Sequence, residues 1–596
     1  MPFTPISAVR SARLPLTLAS LVYGGIVATA GLGLLLGGAP AAAQGVSAIE
    51  HAKPGDWPSY HRTYDAQRYS PLDQINKDNV KHLHVAWTHQ PGDITQGLQA
   101  TPLAVDGIVY YAGSFNRVFA LDGASGDEIW HYYPQIKDGV EKLPTAPYTR
   151  GVAVANGMVF IGTIDGRAIA LDQKTGKEVW QTQLVDTLKC GCLFTSPPLA
   201  VKGKVIYGST QGGIAARGGG IFGLDQKTGK QAWYFDPVLE GKEHWGTNSF
   251  GEPSSKYAGV GAWHVGSFDP ELDLLFWGTS NPSPWFDWAA PGEGPKGYLR
   301  KDGEGARPGD NLYASSVLAL RPDTGELVWY RQEHPHDEWD YDSTLGEFVL
   351  VNVGDKKLMI HQAKSGYVYI YDRTNGDVQN AWTINEHVTF VKSVDPKTGE
   401  LIGRNPPVTD PNHMFCPSFL GGRSWNAGSY NPETHVWYNS RQELCMIVKT
   451  HAERPTLDPL PGWYVGGDMS WAAPPGDKVH GALDAWDPMT GKKKWSVRDD
   501  YPRISTVLST KGGLVFSGDM KGRLYAYDAD TGQEVWKFNM GSACRGGIIS
   551  YEAHGQQYIM APSGIGGGVP GVVANVLPEV KDFPAGATLF AFKVSD

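Results

Sequence analysis

Basic residues are outnumbered in this chain, and cysteines are few. There are 52 lysines and arginines against 62 aspartates and glutamates, the formal net charge is −10, and no basic stripe runs along the sequence. Nucleic-acid-binding proteins carry such a stripe, so its absence argues against a nucleic-acid partner. The motif C-x-x-C-H does not occur, which excludes a covalently attached haem.

The five cysteines are limited in what they can do by their positions. Cys190 and Cys192 are too close in sequence for a relaxed bridge to each other, and two thiols alone are too few for a zinc site. Cys416 and Cys445 flank a long insertion, and we predict that they form a disulfide bond in an exported protein. Cys544 is predicted to be a small core residue.

The N-terminus carries the chain's long uncharged stretch. Arg10 and Arg13 precede this stretch, which covers residues 14–39, and an A-x-A site ends at Ala43. A basic start, an apolar middle and such a site are typical of a secretory signal. The apolar part is also long enough to span a bilayer, so an uncleaved anchor stays open as an alternative. Its many glycines and other small residues favour cleavage.

These features predict the organisation of the chain. We expect a signal peptide over residues 1–43 and a single domain over residues 44–596, exported to the periplasm. Membrane association is expected only if the N-terminal segment stays attached.

A repeat dominates the rest of the sequence. Each unit has a strand-like run, mostly ending in Asp, then a turn with Gly, then Trp; we call this the tryptophan repeat. The alternation of the run has the period of a half-buried strand, and Gly supplies positive φ in the turn. The Trp offers a large surface that can fix one unit to the next. Repeats of about four strands, roughly 50 residues apart, indicate β-propeller blades.

Seven runs are followed by a Trp, and the two chain ends supply the parts of an eighth unit. The run GATLFAFK (residues 586–593) has no Trp after it, and Trp87 has no run before it. We therefore predict an all-β fold, an eight-bladed β-propeller closed by its N- and C-terminal segments, which leaves no open sheet edge. The alternative is an open sandwich with incidental tryptophans. It is disfavoured because eight of the 20 tryptophans occupy equivalent points.

Two segments outside the repeat contain single candidates for a site. Asn281 lies between prolines in GTSNPSPW, where a stiff turn can present its amide oxygen to a hard metal ion. An ordinary Asx-turn is the commoner alternative. Lys364 directly precedes a buried-looking strand, where a cation can polarise a carbonyl or quinone oxygen. A surface lysine is the alternative there.

The segment HPHDEWDYD has four acids in six residues, Asp337, Glu338, Asp340 and Asp342. Such acids repel one another unless a cation or solvent absorbs their charge. On a strand, Asp340 and Asp342 would point to the same side, which suits two ligands of one cation or one ligand and one base. A solvated acidic loop is the alternative, but the interleaved Trp339 and Tyr341 argue against it.

At these residues the chain resembles the pyrroloquinoline quinone (PQQ)-dependent alcohol dehydrogenases, eight-bladed propellers that include the methanol dehydrogenases. The resemblance covers nearly all of the chain after the signal. It rests on FDPELDLLFWGTSNPSPW, RPGDN, HDEWDYD, the Lys364 region, CPS at Cys416 and the tryptophan repeat. It implies oxidation of an alcohol or related hydroxyl compound by PQQ, with electrons passing to a separate soluble cytochrome c.

The resemblance also implies roles for individual residues. Asp340 matches the base that takes the alcohol proton while hydride passes to the quinone C5. Asn281 matches a metal ligand, and Asp340 and Asp342 complete the expected metal set. Asp342 matches the extra acid of lanthanide-using members, so the ion is expected to be Ca²⁺ or a lanthanide. Trp263 matches the residue on which the quinone stacks, and Lys364 the cation at the quinone oxygens.

Three further residues are expected to bind the cofactor, namely Arg150, Thr163 and Gln99. The sequence departs from the family in several places, because Gln99 replaces a usual glutamate and other substitutions occur at Pro144, Thr145, Gly213, Gly261 and Ser424. Pro144 and Thr145 stand where the family has an adjacent cysteine pair, and Gly213 stands where it has a metal-binding glutamate. A second hypothesis follows from these losses: a cofactor-free propeller that acts as an exported binding or assembly scaffold.

Overall fold

The structure is a computed structural model that describes residues 48–140, 143, 147–210, 218–239, 259–283, 285, 309–345, 347–407, 412–450, 465 and 467–595. All of them belong to one compact unit, Ala41–Asp596. The predicted signal (residues 1–43) and the substitutions at Pro144, Thr145 and Gly213 lie outside the described residues. Within the described ranges, no helix has the length and apolar character needed to cross a membrane.

Strands make up nearly all of the regular structure. In chain order they are β1 (Tyr69–Ser70), β2 (His84–His89), β3 (Leu103–Val105), β4 (Ile108–Ala112), β5 (Val118–Asp122), β6 (Glu128–Tyr132), β7 (Ala153–Ala155), β8 (Met158–Gly162), β9 (Arg167–Asp172), β10 (Glu178–Gln183), β11 (Leu199–Val201), β12 (Lys204–Gly208), β13 (Ile221–Asp225), β14 (Gln231–Phe235), β15 (Ser267–Asp269), β16 (Leu274–Gly278), β17 (Ser316–Leu320), β18 (Leu327–Gln332) and β19 (Phe348–Val353). The second half continues with β20 (Lys356–Gln362), β21 (Tyr367–Asp372), β22 (Asp377–Thr383), β23 (Val391–Val394), β24 (Leu401–Arg404), β25 (Met414–Phe415), β26 (Ser429–Asn431), β27 (Val436–Glu443), β28 (Cys445–Thr450), β29 (Gly467–Ala472), β30 (His480–Asp487), β31 (Lys492–Asp499), β32 (Leu508–Thr510), β33 (Leu514–Gly518), β34 (Arg523–Asp528), β35 (Glu534–Asn539), β36 (Ile549–Ala553), β37 (Gln556–Ser563) and β38 (Thr588–Lys593). The helices are short: the α-helices Thr187–Cys190 and Val569–Val573 and the 3₁₀ helices Val80–His82, Ser114–Asn116 and Pro578–Asp582.

The described strands form ten sheets, eight of which have four or five strands. Each of these eight contains one run of the tryptophan repeat. Their orders are β3-β4-β5-β6, β7-β8-β9-β10, β11-β12-β13-β14, β15-β16-β17-β18, β19-β20-β21-β22, β26-β27-β30-β31, β1-β32-β33-β34-β35 and β36-β37-β38-β2. The pair β23-β24 and the trio β25-β28-β29 are the smaller sheets, and both belong to the insertions around the sixth run. The all-β propeller class is confirmed.

The two chain ends meet in one sheet. β2 pairs antiparallel with β38, with Trp87 opposite Ala591. β38 in turn pairs with β37, so the N-terminal strand becomes the outer strand of a sheet built from C-terminal residues. This joins the first and last parts of the domain by backbone hydrogen bonds rather than by side chains alone.

The tryptophan repeat acts between neighbouring sheets. The indole N–H of Trp130 donates to the carbonyl of Gln173 in the β9–β10 turn of the next sheet, 3.0 Å away. In the same turn Gly176 has φ +68°, and a Cβ there would lie 2.5 Å from the Trp130 ring. Equivalent indole donors are Trp87, Trp180, Trp233, Trp382 and Trp495, each onto the turn of the next sheet, and Trp536, onto Leu83. The turn glycine is therefore needed twice, for its φ and for the close approach of the ring.

The cysteines pair in two disulfide bonds, one expected and one not. Cys416–Cys445 is confirmed. The prediction for Cys190 and Cys192 was wrong, because these two residues are bonded to each other. The short helix ends at Cys190, and Gly191 takes the left-handed conformation (φ 66°, ψ 2°). That turn sets the two Cα atoms 5.2 Å apart, inside the usual range for a disulfide. Cys544 is a free, buried thiol.

Candidate active site

Six of the predicted site residues line one cavity of about 540 Å³. They are Arg150, Trp263, Asn281, Asp340, Asp342 and Lys364. Trp263 and Arg150 lie on connections between sheets, as do the two acids, whereas Asn281 and Lys364 follow the second strand of their sheets. Because neighbouring strands run antiparallel, the loop after a second strand and the connection after a fourth strand leave a sheet at the same end of its strands. Residues from several sheets meet at this end.

Lys364 holds the two acids together in the cavity. Its ammonium Nζ lies 2.8 Å from Asp340 Oδ2 and 3.0 Å from Asp342 Oδ2, and all three side chains are buried. The other carboxylate oxygen of Asp342 accepts the backbone N–H of Asn281, at 2.7 Å. With two carboxylates and one ammonium, the group carries one surplus negative charge when all three are ionised. A buried surplus of this kind favours a cation beside it.

The protonation of this group is strongly shifted by burial. Burial raises the pKa of Asp340 well above its usual value; Lys364 opposes that rise, and Asp342 adds to it. Burial raises the pKa of Asp342 as well, again against Lys364. Burial by itself would lower the pKa of Lys364, but Asp340 and Asp342 outweigh it and raise that pKa. The lysine therefore stays charged, and the two carboxylates are the groups of this site that can gain or lose a proton.

The segment that carries the acids is not a strand, contrary to the period-two argument. Asp340 has φ +63°, in the left-handed region that asparagine and aspartate tolerate best. Asp337 stabilises this irregular backbone, since its carboxylate accepts the N–H groups of Trp339 and Tyr341. The two acids converge because Lys364 binds both. The alternative of a solvated acidic loop is excluded by their burial.

The alternatives for Asn281 and Lys364 also fail. The N–H of Ser283, which an Asx-turn would direct to the Asn281 side chain, donates to Gly259 instead. The Asn281 amide nitrogen donates to the carbonyl of Pro282, which leaves the amide oxygen for a cation. Lys364 is buried and is not a surface lysine. Asn281, Asp340 and Asp342 together offer an oxygen-rich donor set, which suits a hard metal ion.

Two buried arginines and three aromatic rings form the rest of the site. The Arg150 guanidinium lies 4.8 Å from the ring centre of Trp263 and 4.9 Å from those of Tyr148 and Trp425. Arg545 lies 5.4 Å from Trp425. Burial, reinforced by the like charge of Arg150, lowers the pKa of Arg545 to about 10. Two desolvated cations of like sign beside flat rings suit a planar anionic ligand.

Unpaired donors in this part of the site support the same fit. The Nε atoms of Arg150 and Arg545 and the indole nitrogen of Trp425 are buried without a hydrogen-bond partner among the described residues. Arg150 keeps one protein partner, since its Nη1 donates to Thr195 Oγ1 at 2.8 Å. Buried donors are almost always satisfied in folded proteins, so these three are expected to bind a ligand. The donor set therefore fits a flat carboxylated quinone.

Two predicted cofactor residues do not line the cavity. Thr163 lies in the β8–β9 turn, where its hydroxyl donates to Asp165 Oδ1 at 2.5 Å. The hydroxyl is thus engaged inside its own turn, and the cofactor role of Thr163 stays a prediction. Gln99 is buried beside the cavity, and its amide donates to the carbonyl of Gln96, which does line it. Gln99 therefore positions a lining residue and is not one itself.

The sequence reasoning missed Tyr148, Thr195 and Arg545, and it named Trp425 only as a neighbour of the substitution at Ser424. All of these residues line the cavity. Thr195 was recognisable in part, since it opens a Thr-Ser-Pro-Pro connection equivalent to the one that carries Arg150. Of the substituted positions that the structure describes, Ser424 lines the cavity, and the N–H of Gly261 donates to Ser280 Oγ.

Comparison with known proteins gives one consistent family. The family model described as "PQQ: Glucose/ethanol/alcohol dehydrogenase, beta-propeller domain" matches residues 57–400 and 466–559. The quinoprotein alcohol dehydrogenase PedH of Pseudomonas putida is 34% identical over 98% of this chain and 98% of its own length. The quinohemoprotein alcohol dehydrogenase ADH IIB of the same species is 37% identical, over 86% of this chain and 74% of that protein.

Solved structures agree with this assignment. The quinohemoprotein alcohol dehydrogenase ADHIIG of Pseudomonas putida superposes with a TM-score of 0.83 at 32% identity, covering 92% of this chain and 81% of that one. A europium-containing methanol dehydrogenase superposes with a TM-score of 0.79 at 28% identity, covering 91% of this chain and 99% of that one.

Proposed function

The chain belongs to the family of PQQ-dependent alcohol dehydrogenases, and we propose that it is an exported enzyme that oxidises alcohols with Asp340 as general base. The observation that carries the proposal is the buried group of Asp340, Asp342 and Lys364, which shares one cavity with Arg150 and Trp263. A base, a cation and a flat aromatic platform in one cavity are the parts that oxidation of a hydroxyl group needs.

The residues present fit both PQQ and a metal ion. Trp263 would stack on the quinone, and Arg150 and Arg545 would bind its carboxylates through their unpaired donors. Asn281, Asp340 and Asp342 would hold Ca²⁺ or a lanthanide ion through oxygen atoms. When bound, PQQ would supply a quinone that accepts a hydride, and the ion would supply Lewis acidity.

Asp340 would take the hydroxyl proton of the alcohol on a carboxylate oxygen. Burial raises the pKa of Asp340, which makes its carboxylate a stronger proton acceptor than that of an ordinary aspartate. Lys364 donates to Oδ2 and favours the ionised form of this carboxylate, which the transfer requires. Asp342, bound to the same lysine and to the Asn281 backbone, fixes the orientation of that ammonium.

Export and the electron acceptor belong to the same proposal. The predicted signal over residues 1–43 supports a periplasmic location. The absence of C-x-x-C-H in the sequence supports a separate soluble cytochrome c as the acceptor. Reduction of added cytochrome c by the loaded protein, with alcohol present, tests this part.

Reconstitution tests the function against the scaffold alternative. Purified protein, freed of metal by a chelator, is titrated with PQQ in the presence of Ca²⁺, of La³⁺ or of neither ion. We expect saturable changes in quinone absorbance and dye-linked oxidation of ethanol with at least one ion, and loss of oxidation without either. If no saturable PQQ binding occurs with either ion, the scaffold hypothesis takes its place.

A further inference from the structure

A second group of metal-ligating side chains lies apart from the cavity. Glu386 and His387 belong to the connection after β22. Asp477 lies just before β30, and His480 is the first residue of that strand. Glu386 Oε2 is 3.6 Å from His480 Nε2, and His387 Nε2 is 3.5 Å from Asp477 Oδ2. Asp477 Oδ2 also lies 3.8 Å from His480 Nδ1. None of the four lines the cavity described above.

Three of the four residues have the mutual spacing of ligands of one transition-metal ion, and His387 adjoins them through Asp477. Glu386, Asp477 and His480 each offer a ligand atom within 4.8 Å of the others. Nitrogen and oxygen ligands bind Zn²⁺ at about 2.0–2.2 Å in a tetrahedron, which sets neighbouring ligand atoms about 3.5 Å apart. Two imidazoles with two carboxylates are a donor set that favours zinc-type ions over calcium.

His480 gives an independent indication of a ligand. The residue is fully buried, and its Nε2 has no hydrogen-bond partner among the described residues. Its Nδ1 lies between the carbonyl of Lys478, 2.9 Å away, and the Arg498 guanidinium, 3.1 Å away. Once Arg498 has moved away, only the carbonyl remains, which can only accept, so Nδ1 carries the proton. The Nε2 lone pair then faces the Glu386 carboxylate, which is unfavourable without a cation between them. Metal-bound histidines have this arrangement, with the other ring nitrogen bonded to a backbone carbonyl.

Two arginines neighbour the group, and they differ in their freedom to move. Arg441 is buried and binds Glu386 Oε1 at 2.9 Å, which leaves Oε2 directed at His480. Arg498 is 51% exposed; its Nη2 lies 2.9 Å from Asp477 Oδ2 and 3.1 Å from His480 Nδ1. An exposed guanidinium can swing into solvent, whereas a buried one cannot. Arg498 is therefore the cation that an incoming ion would displace.

The net charge of the surrounding network favours the binding of such an ion. Arg441 also binds the carboxylates of Glu443 and Asp484, and Lys493 lies 3.6 Å from Asp484. The network thus has four carboxylates, including those of Glu386 and Asp477, against Arg441, Arg498 and Lys493. With both histidines neutral it carries one surplus negative charge, and displacing Arg498 raises the surplus to two. A dication would balance it.

We propose that Glu386, His387, Asp477 and His480 form a second metal site, selective for zinc-type dications, in which the ion takes the place of the Arg498 guanidinium. Such an ion would tie the connection after β22 to the sheet that contains β30. It differs in class from the oxygen-rich set of the cavity, which suits hard ions.

Cobalt binding tests the proposal, because tetrahedral Co²⁺ has visible absorption bands that report imidazole and carboxylate ligation. Chelator-treated full-length protein is titrated with Co²⁺, and Zn²⁺ is then added as competitor. We expect one Co²⁺ per chain with these bands and their loss on addition of one equivalent of Zn²⁺. His480→Gln and Asp477→Asn are expected to weaken Co²⁺ binding at least about tenfold, and Arg498→Gln to strengthen it.

Controls separate this site from the cavity and from surface histidines. Asp340→Asn, in the cavity, and His84→Gln, at an exposed histidine, are expected to leave the cobalt bands unchanged. His480 is buried, so Asp477→Asn serves as the second variant should His480→Gln fail to fold. The proposal is overturned if wild type and Arg498→Gln both lack the bands, or if the bands persist in Asp477→Asn.

Discussion

The turns that receive the tryptophans and the cavity that holds Asp340 follow opposite rules. In the turns, the same residue types recur sheet after sheet, and the contact of Trp130 with Gly176 is repeated around the domain. In the cavity no such unit recurs, and the side chains come from several different connections. The turns leave few polar atoms unsatisfied, whereas the cavity buries like charges and unpaired donors. The comparison separates residues that hold the ring together from residues that perform chemistry.

The largest effect is expected at Asp340, where a substitution should reduce activity and leave stability nearly unchanged. Asp340→Asn keeps the size of the side chain but removes the proton acceptor, so turnover of the reconstituted protein should fall by about 10²–10⁴-fold. The midpoint of thermal unfolding should change little, because the asparagine can still accept a hydrogen bond from Lys364. Dye-linked alcohol oxidation and a melting curve measure both effects.

Asp355→Asn is the matched control, since Asp355 is an exposed acid on the β19–β20 turn of the sheet that carries Lys364. It should keep full activity. Retained turnover in Asp340→Asn would contradict the assigned role.

A binding effect is expected next, at Arg150. Arg150→Gln removes a buried cation but keeps a donor for Thr195. Hydrogen bonds to charged groups contribute about 1.5–3 kcal/mol, so affinity for PQQ should fall roughly 10–100-fold. Titration of quinone absorbance measures it. Arg321→Gln, at an arginine that binds the carbonyls of Leu272 and Asp273, serves as the control. Unchanged PQQ affinity in Arg150→Gln would place the cofactor elsewhere.

The turns should respond in stability and not in chemistry. Gly176→Ala adds a Cβ 2.5 Å from the Trp130 ring at φ +68°, so the free energy of unfolding should fall by about 2–4 kcal/mol. Gly157→Ala, in the same sheet, meets nothing within 4 Å at φ +76°, and only the backbone cost of about 1 kcal/mol should remain. Urea unfolding measures the difference. Equal losses in the two variants would mean that the ring contact does not contribute.

The smallest effect concerns the cysteines, whose count tests the corrected pairing. Without reductant, unfolded protein should show one reactive thiol, Cys544, because the other four cysteines are paired. In the folded protein, burial raises the pKa of Cys544 to about 12, so little thiolate exists at pH 8 and alkylation should be slow. Titration with a thiol reagent before and after unfolding checks this. Three thiols in the unfolded sample would mean that Cys190 and Cys192 are not bonded.

The sequence predicted the structure correctly where a residue's structural role depends on its near neighbours in the chain. The alternating runs, the turn glycines and the recurring tryptophans predicted the propeller and the pairing of its ends, now seen between β2 and β38. It failed where a single backbone angle decides the outcome. Gly191 in the left-handed conformation joins Cys190 to Cys192, and Asp340 reaches Lys364 from a loop and not from a strand.

The amino-acid sequence by itself determined the repeating unit, its turn chemistry and its docking tryptophan, because each depends on neighbours a few residues away. It also carried the motif that contains Asp340 and Asp342. The assembled sheets alone set which polar residues share the cavity: Arg545 joins Arg150 there, and Thr195 rather than Thr163 faces it. The physical reason is that antiparallel sheets bring distant connections together at one end of their strands. Burial there, rather than residue type, sets the charge and hydrogen bonding of each group.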